Sequence, residues 1–268
     1  MSKRTSAFLL VAAVGVATAT FATPAIAATP HTAAAAAPAQ LTQAIAGHES
    51  HSLHGVRAGT SASVESTNWS GYAATGAAGA YKSVSSSWTQ PAVSCTSTTT
   101  YSAYWVGLDG YSNSALEQTG TEADCIGGKA TYGAWWEVLP ASESAYSGVT
   151  VKAGDALTAT VTDDGNGDFT MTLVDSTEGW TKSTVSAGSS GYQDSSAEVI
   201  AEAPEVNGTI AKLADFGTVD FTGATAGGTA LGSTSPTEIV MINSSGSKVR
   251  AQPGAVSGGS FADVWKSS

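Results

Sequence analysis

The chain has 268 residues, 42% hydrophobic and 12% charged, with 11 Lys and Arg against 22 Asp and Glu. Lys3, Arg4, Arg57 and Glu49 precede residue 61, which leaves 8 basic and 21 acidic residues beyond it, a net charge of −13. Such a domain is not expected to bind nucleic acid or anionic membranes, and once acid neutralises its carboxylates it has few cations to repel one another.

The chain opens on the basic MSKR, runs through the apolar SAFLLVAAVGVATATFA and reaches small residues in TPAIA. This pattern predicts a secretory signal peptide over residues 1–28, cleaved near Ala27 or Ala28, and hence an extracellular protein. The apolar run is short for a membrane span, and no later segment has the length and apolarity of one. Residues 29–60 are rich in Ala, Pro, Thr and His and carry no sustained apolar period, so they are expected to be a propeptide or flexible arm. Folding signals begin near ESTNWSGYAA, and residues 61–268 are long enough to bury one core.

That domain reads as β almost throughout. SVSSSWTQP, AYWVGLDG, TYGAWWEVLP, WTKSTVSA, SAEVIAEAP, GTVDFTGATA and TEIVMIN are short runs rich in Thr, Val, Trp and Tyr, separated by Gly, Asn, Asp and Ser. VTVKAGDALTATVTDDGNGDFTMTLVD alternates on both sides of an Asp-Gly-Asn-Gly turn and predicts a hairpin. No amphipathic helix stands out, so an antiparallel sandwich or barrel is expected. Strand alternation puts Trp105, Gly107 and Asp109 on one face, Trp135 with Glu137, and Glu198 with Ile200 and Glu202. One sheet face thereby collects aromatics and carboxylates, which suits a groove for a polymer.

Cys95 and Cys125 are the only cysteines, and in an exported protein they predict one disulfide. All four histidines, His31, His48, His51 and His54, precede residue 61. The domain therefore cannot build Ser-His-Asp or Cys-His chemistry, and a His-ligated zinc site is not expected in it. The cluster His48, His51 and His54 reads as a His-rich arm rather than a metal site. No nucleophile elbow, phosphate-binding loop or dinucleotide fingerprint is present. Carboxylates, amides, hydroxyls and lysines remain for catalysis, with no metal or other cofactor expected.

NWSGYAA, YWVGLDGYSNSALEQTG, ATYGAWWEVLP and SSAEVIAEAP, in this order, resemble motifs of the glutamic peptidases, or eqolisins, across most of residues 64–265. The resemblance implies a concanavalin-like or jelly-roll-like sandwich of two antiparallel sheets. It also implies a secreted endopeptidase that cleaves polypeptides, usually in acid, without a metal. The family's catalytic glutamine falls on Gln118 and its catalytic glutamate on Glu202. Trp105, Asp109 and Glu137 match groove residues, with Trp135 beside Glu137 in the same motif. Gly133 stands where fungal members often have Asp, Val138 and Leu139 replace an aromatic pair, and Glu117 replaces an aliphatic residue; these departures bear on substrate preference and working pH.

The chemistry gives each partner a reason. Glu202 can act as general base on water and then as acid toward the departing amine. The Gln118 amide can orient the water and donate to the developing oxyanion, and it keeps the same hydrogen-bonding character at any pH. A propeptide over residues 29–60 is expected to mask the groove, with its histidines sensing acid. A monomer is the default expectation. Taken singly, the residues have plainer readings. Gln118 and Glu202 suit an exposed strand face, Trp105 and Trp135 a core, and Asp109 a turn. The alternatives are a lectin-like carbohydrate-binding module and a glycoside hydrolase using two of Glu137, Glu198 and Glu202. Sequons begin at Asn68, Asn207 and Asn243.

Overall fold

The computed structural model describes residues 48–59 and 63–268; the predicted signal peptide and the first part of the predicted arm lie outside them. The chain begins with β1 (His48–Ser50), β2 (Arg57–Ala58), β3 (Ser63–Ser66), β4 (Trp69–Thr75) and β5 (Ser83–Thr89). Then come β6 (Ala103–Leu108), β7 (Glu117–Ile126), β8 (Lys129–Val138) and the short β9 (Ser144–Ala145). β10 (Ala156–Asp163), β11 (Asp168–Asp175), β12 (Trp180–Ala187) and β13 (Ser196–Glu202) follow. After the short β14 (Glu205–Val206) and β15 (Thr209–Ile210) come β16 (Thr218–Ala226), β17 (Thr229–Ala230), β18 (Thr237–Ile242), β19 (Val249–Pro253) and β20 (Phe261–Trp265). Among the described residues the only helix is a single 3-10 turn at Leu231–Thr234.

The pairings build two layers. One runs β8–β7–β6–β13–β4–β18–β3. The other runs β12–β11–β10–β5–β16–β20–β19. Within these layers every pairing is antiparallel except β3 with β18, and β18 with β19 joins them at one edge. The all-β sandwich expected from the strand pattern is therefore the fold.

Alternation fills the space between the layers. Leu157, Ala159 and Val161 of β10 and Phe169, Met171 and Leu173 of β11 point inward. They meet Tyr104, Val106, Leu108, Val199 and Ala201 of the opposite layer in one buried cluster. The turn between β10 and β11 needs glycine at two places, because Gly165 and Gly167 take φ of 82° and 98°. Cys95 and Cys125 are bonded, tying the loop before β6 to the end of β7.

β6 and β13 are buried along both faces. A half-buried sheet strand ordinarily shows one face to water. Here the second face carries its own apolar cluster of Trp69, Trp105, Trp135, Leu116 and Ile200, with Leu53 against it. Leu53 belongs to the stretch expected to be a propeptide or arm. From His48 to Ala58 that stretch is laid on the sandwich: β1 pairs with β14, and β2 pairs with β3. It falls in the same compact unit, residues 42–268.

Candidate active site

The register across β13, β6, β7 and β8 arranges the second face in rows. Glu198, Gly107, Gln118 and Glu137 stand opposite one another in the first row. Ile200, Trp105, Gly120 and Trp135 form the next, and Glu202 heads the third beside Ala103. The two glycines make room for the Trp105 indole. A Cβ on Gly120 would come within 2.6 Å of Trp105 Cβ, and one on Gly107 within 2.9 Å of Trp105 Cζ3.

Glu202 is fully buried at the end of β13. Its Oε1 accepts from Asn68 Nδ2 at 2.9 Å, and its Oε2 accepts from Trp105 Nε1 at 2.7 Å. Oε2 also meets His51 Nδ1 at 2.8 Å. A buried carboxylate needs such donors to keep its charge. Gln118 is equally buried, and its Nε2 donates to Glu137 Oε2 at 2.6 Å. Gln118 Oε1, Glu137 Oε1 and Trp135 Nε1 are buried without a hydrogen-bond partner. No hydrogen bond among the described residues joins Gln118 directly to Glu202. His51 lies between the two halves, touching Glu202 and acting electrostatically on Glu137. Burial pushes the Glu137 carboxyl up to about 7; His51 opposes the rise, and Glu202 and Glu143 add to it.

Asp109 stands apart from the expected phase. β6 ends at Leu108, and Asp109 turns into the left-handed region at φ 65°. Its carboxylate accepts from the backbone N–H groups of Gln193, Asp194 and Ser195, from Ser195 Oγ and from Asn113 Nδ2. It fastens the 193–195 loop to the end of the sheet, and its oxygens are taken by protein donors. Glu198, which spacing alone confuses with Glu202, is buried with no hydrogen-bond partner on either oxygen. Burial, opposed by Ser196 and reinforced by Asp109 and Glu117, holds its carboxyl well above the ordinary range. Glu202 has the donors, and Glu198 does not.

Sequence reasoning gave no role to Asn68 or Glu143 in this site, and it offered His51 only as one of four histidines in a masking arm. Asn68 opens the NWSGYAA motif and a sequon, yet its side chain is buried against Glu202 and not available to a glycan. His51 and Glu143 come from segments whose long-range placement no local period encodes.

Residues 67–262 match the model of the Peptidase A4 family. Aspergillopepsin-2 of Aspergillus niger is 32% identical over 133 residues, 48% of this chain and 47% of that protein, so the match spans about half the length of that relative. The crystal structure of scytalido-glutamic peptidase with a transition state analog inhibitor superposes with a TM-score of 0.65 at 27% identity, covering 75% of this chain and 98% of the other. The structure of SCP-B, an eqolisin in complex with the tripeptide Ala-Ile-His, gives 0.60 at 25% identity, again over 75% and 98%. By its motifs, its fold and the family match over residues 67–262, this chain belongs to the Peptidase A4 family of glutamic peptidases.

Proposed function

We propose that the chain is the precursor of a secreted, monomeric acid endopeptidase that hydrolyses polypeptides with Glu202 as general base and Gln118 as oxyanion donor. The observation that carries this reading is the contrast between two buried polar pairs on one sheet face. Glu202 is held by Trp105 and Asn68, while Gln118 is held by Glu137 with a polar atom left over.

Ionised Glu202 takes a proton from a water as its oxygen attacks the scissile carbonyl carbon. The carbonyl oxygen becomes an oxyanion and accepts a hydrogen bond from the Gln118 amide, a contribution of roughly 3–4 kcal/mol to barrier lowering. Glu202 then passes the proton to the amine nitrogen as the C–N bond breaks, which restores its charge. Glu137 decides when Gln118 works well. As an anion it would oppose the neighbouring oxyanion. With a carboxyl pushed up to about 7 it is neutral in acid, where its O–H can donate to Gln118 Oε1 and leave the amide N–H groups for substrate. The scheme uses no metal or other cofactor. The tripeptide complex of the SCP-B relative, and the disulfide typical of oxidising compartments, agree with a peptide groove in an extracellular protein.

The test is digestion of an unfolded protein by the matured wild type, Gln118→Ala and Glu202→Ala from pH 2 to 8, with EDTA and pepstatin present. Cleavage that resists both inhibitors and falls by at least a hundredfold in each folded variant is expected. Cleavage that survives Glu202→Ala, or none by the matured wild type at any pH, refutes the assignment. In the second case, polysaccharide binding and hydrolysis are the next readouts.

A further inference from the structure

Gln118 is the second residue of β7, and Glu137 is the last but one of β8. The pair thus lies at the end of its two strands. Beyond Glu117, which stands opposite Val138, the ladder between them stops. Ser189, from the loop between β12 and β13, closes this end. Its N–H donates to Glu117 Oε1 at 2.6 Å, across 72 residues of sequence. Its Oγ accepts from Leu116 N at 3.2 Å and donates to the Leu139 carbonyl at 2.6 Å. Leu139 N donates to the Leu116 carbonyl at 3.0 Å, so the two strand ends are joined both directly and through one hydroxyl. Glu117 and Ser189 are both buried.

A carboxyl is a costly choice for such a place. Alternation turns Glu117 to the face opposite Gln118, and its Oε2 has no hydrogen-bond partner. Burial, opposed by the Ser189 hydrogen bonds and reinforced by Asp109 and Asp194, pushes it up to about 7. In acid it is therefore neutral and holds the Ser189 N–H as an uncharged acceptor. An aliphatic side chain would be buried there without the cost of stripping water from a carboxyl. It would also leave the Ser189 N–H without its acceptor and let the hydroxyl leave Leu116 and Leu139. Those two leucines flank the pair, two residues before Gln118 and two after Glu137. Their side chains belong to the apolar cluster of the groove face, with Trp135.

We propose that Glu117 and Ser189 are positioning residues, a latch that holds the Gln118 end of β7 against the Glu137 end of β8 and so aims the Gln118 amide at the oxyanion. The proposal rests on the reading of Gln118 as the oxyanion donor, and both residues act through it. The Gln118 bond to Glu137 is 2.6 Å long, and it keeps that length only while the two strand ends stay in register. A displacement of about 1 Å at a catalytic group costs about a hundredfold in rate. The oxyanion exists only on the way through the transition state. A misaimed donor therefore lowers kcat and leaves KM nearly unchanged, whereas general loosening of the groove would weaken substrate binding too.

Two measurements test this. In the first, matured wild type, Glu117→Leu, Ser189→Ala and Glu117→Gln cleave a fluorogenic peptide in acid, each shown to be folded by near-ultraviolet circular dichroism. Glu117→Leu and Ser189→Ala are expected to lower kcat at least tenfold while KM changes less than threefold. Glu117→Gln keeps an uncharged acceptor for Ser189 and is expected to hold at least a third of the wild-type kcat. In the second, the side-chain amide signals of Gln118 are followed in nitrogen–proton correlation spectra of the full precursor, identified by their loss in Gln118→Ala. They are expected to shift or broaden in Glu117→Leu and Ser189→Ala and to stay in place in Glu117→Gln. Unchanged kcat in the folded Leu and Ala variants, or a loss confined to KM, overturns the latch. Should Glu117→Leu fail to fold, Ser189→Ala decides. If Gln118→Ala cleaves like wild type, or no chain cleaves at all, the peptidase reading of Gln118 fails and the spectra decide the latch alone. Signals that move as expected then keep the latch as a clamp on Gln118, and signals that do not move overturn it as well.

Discussion

Asp263 offers a clean test of how this fold responds to acid. It is fully buried on β20; its Oδ1 accepts from Ser70 Oγ at 2.9 Å, while Oδ2 has no partner. Burial, against the Ser70 and Val264 hydrogen bonds, lifts its carboxyl from 3.8 to about 7. A carboxyl raised on folding favours the fold when protonated. Its contribution is complete below 3.8, declines as the unfolded chain ionises, and is gone above about 7. At about 1.4 kcal/mol for each pH unit, the gap from 3.8 to about 7 amounts to roughly 4 kcal/mol. Asp263→Asn keeps an acceptor for Ser70 and cannot ionise. It should match wild type within about 1 kcal/mol at pH 4 and exceed it by roughly 3–4 kcal/mol at pH 7.5. Urea unfolding followed by tryptophan fluorescence at both pH values, in the Gln118→Ala background, measures this directly. A difference between the two chains that stays constant within about 0.5 kcal/mol from pH 4 to 7.5 refutes the reasoning.

Glu137→Gln removes a carboxyl that is neutral below about 7 and anionic above it. The wild-type profile of kcat/KM should fall as pH rises through that region, and the variant should lose this limb while keeping a fold of unchanged stability in acid. An unchanged limb means that Glu137 does not govern Gln118. The Cys95–Cys125 bond closes a loop across 30 residues, so Cys95→Ala with Cys125→Ala should cost about 3–4 kcal/mol. For a domain of this size that is a fall in Tm of roughly 10 °C by calorimetry, and a fall under about 2 °C speaks against it.

The local patterns carried most of the sandwich. WTKSTVSA forms β12 over the same residues, and the alternation around DDGNG becomes β10 and β11. Period two also aligned Trp105 with Gly107, Trp135 with Glu137, and Glu198 with Glu202, because those strands run without a bulge through the rows of the site. Asp109 escaped that logic, since a left-handed residue ends the strand and cancels its phase. VRAQP and FADVW were passed over as strands; five residues with one or two buried apolar side chains leave little period to read. Hardest of all was the segment from His48 to Ala58. It has almost no apolar pattern, and it is held by side-chain bonds to Asn68, Trp69, Glu143 and Glu202, partners up to 151 residues away. Such bonds depend on the finished fold.

Asn68 holds Glu202 with one amide hydrogen and the Ser52 carbonyl with the same nitrogen, while its oxygen takes the His54 N–H. One side chain thus supports both the buried carboxylate of Glu202 and the segment lying over it. A chance substitution at Asn68 that loosened the cover would also misplace the group it covers. A single side chain at the hinge of two contacts makes them rise and fall together.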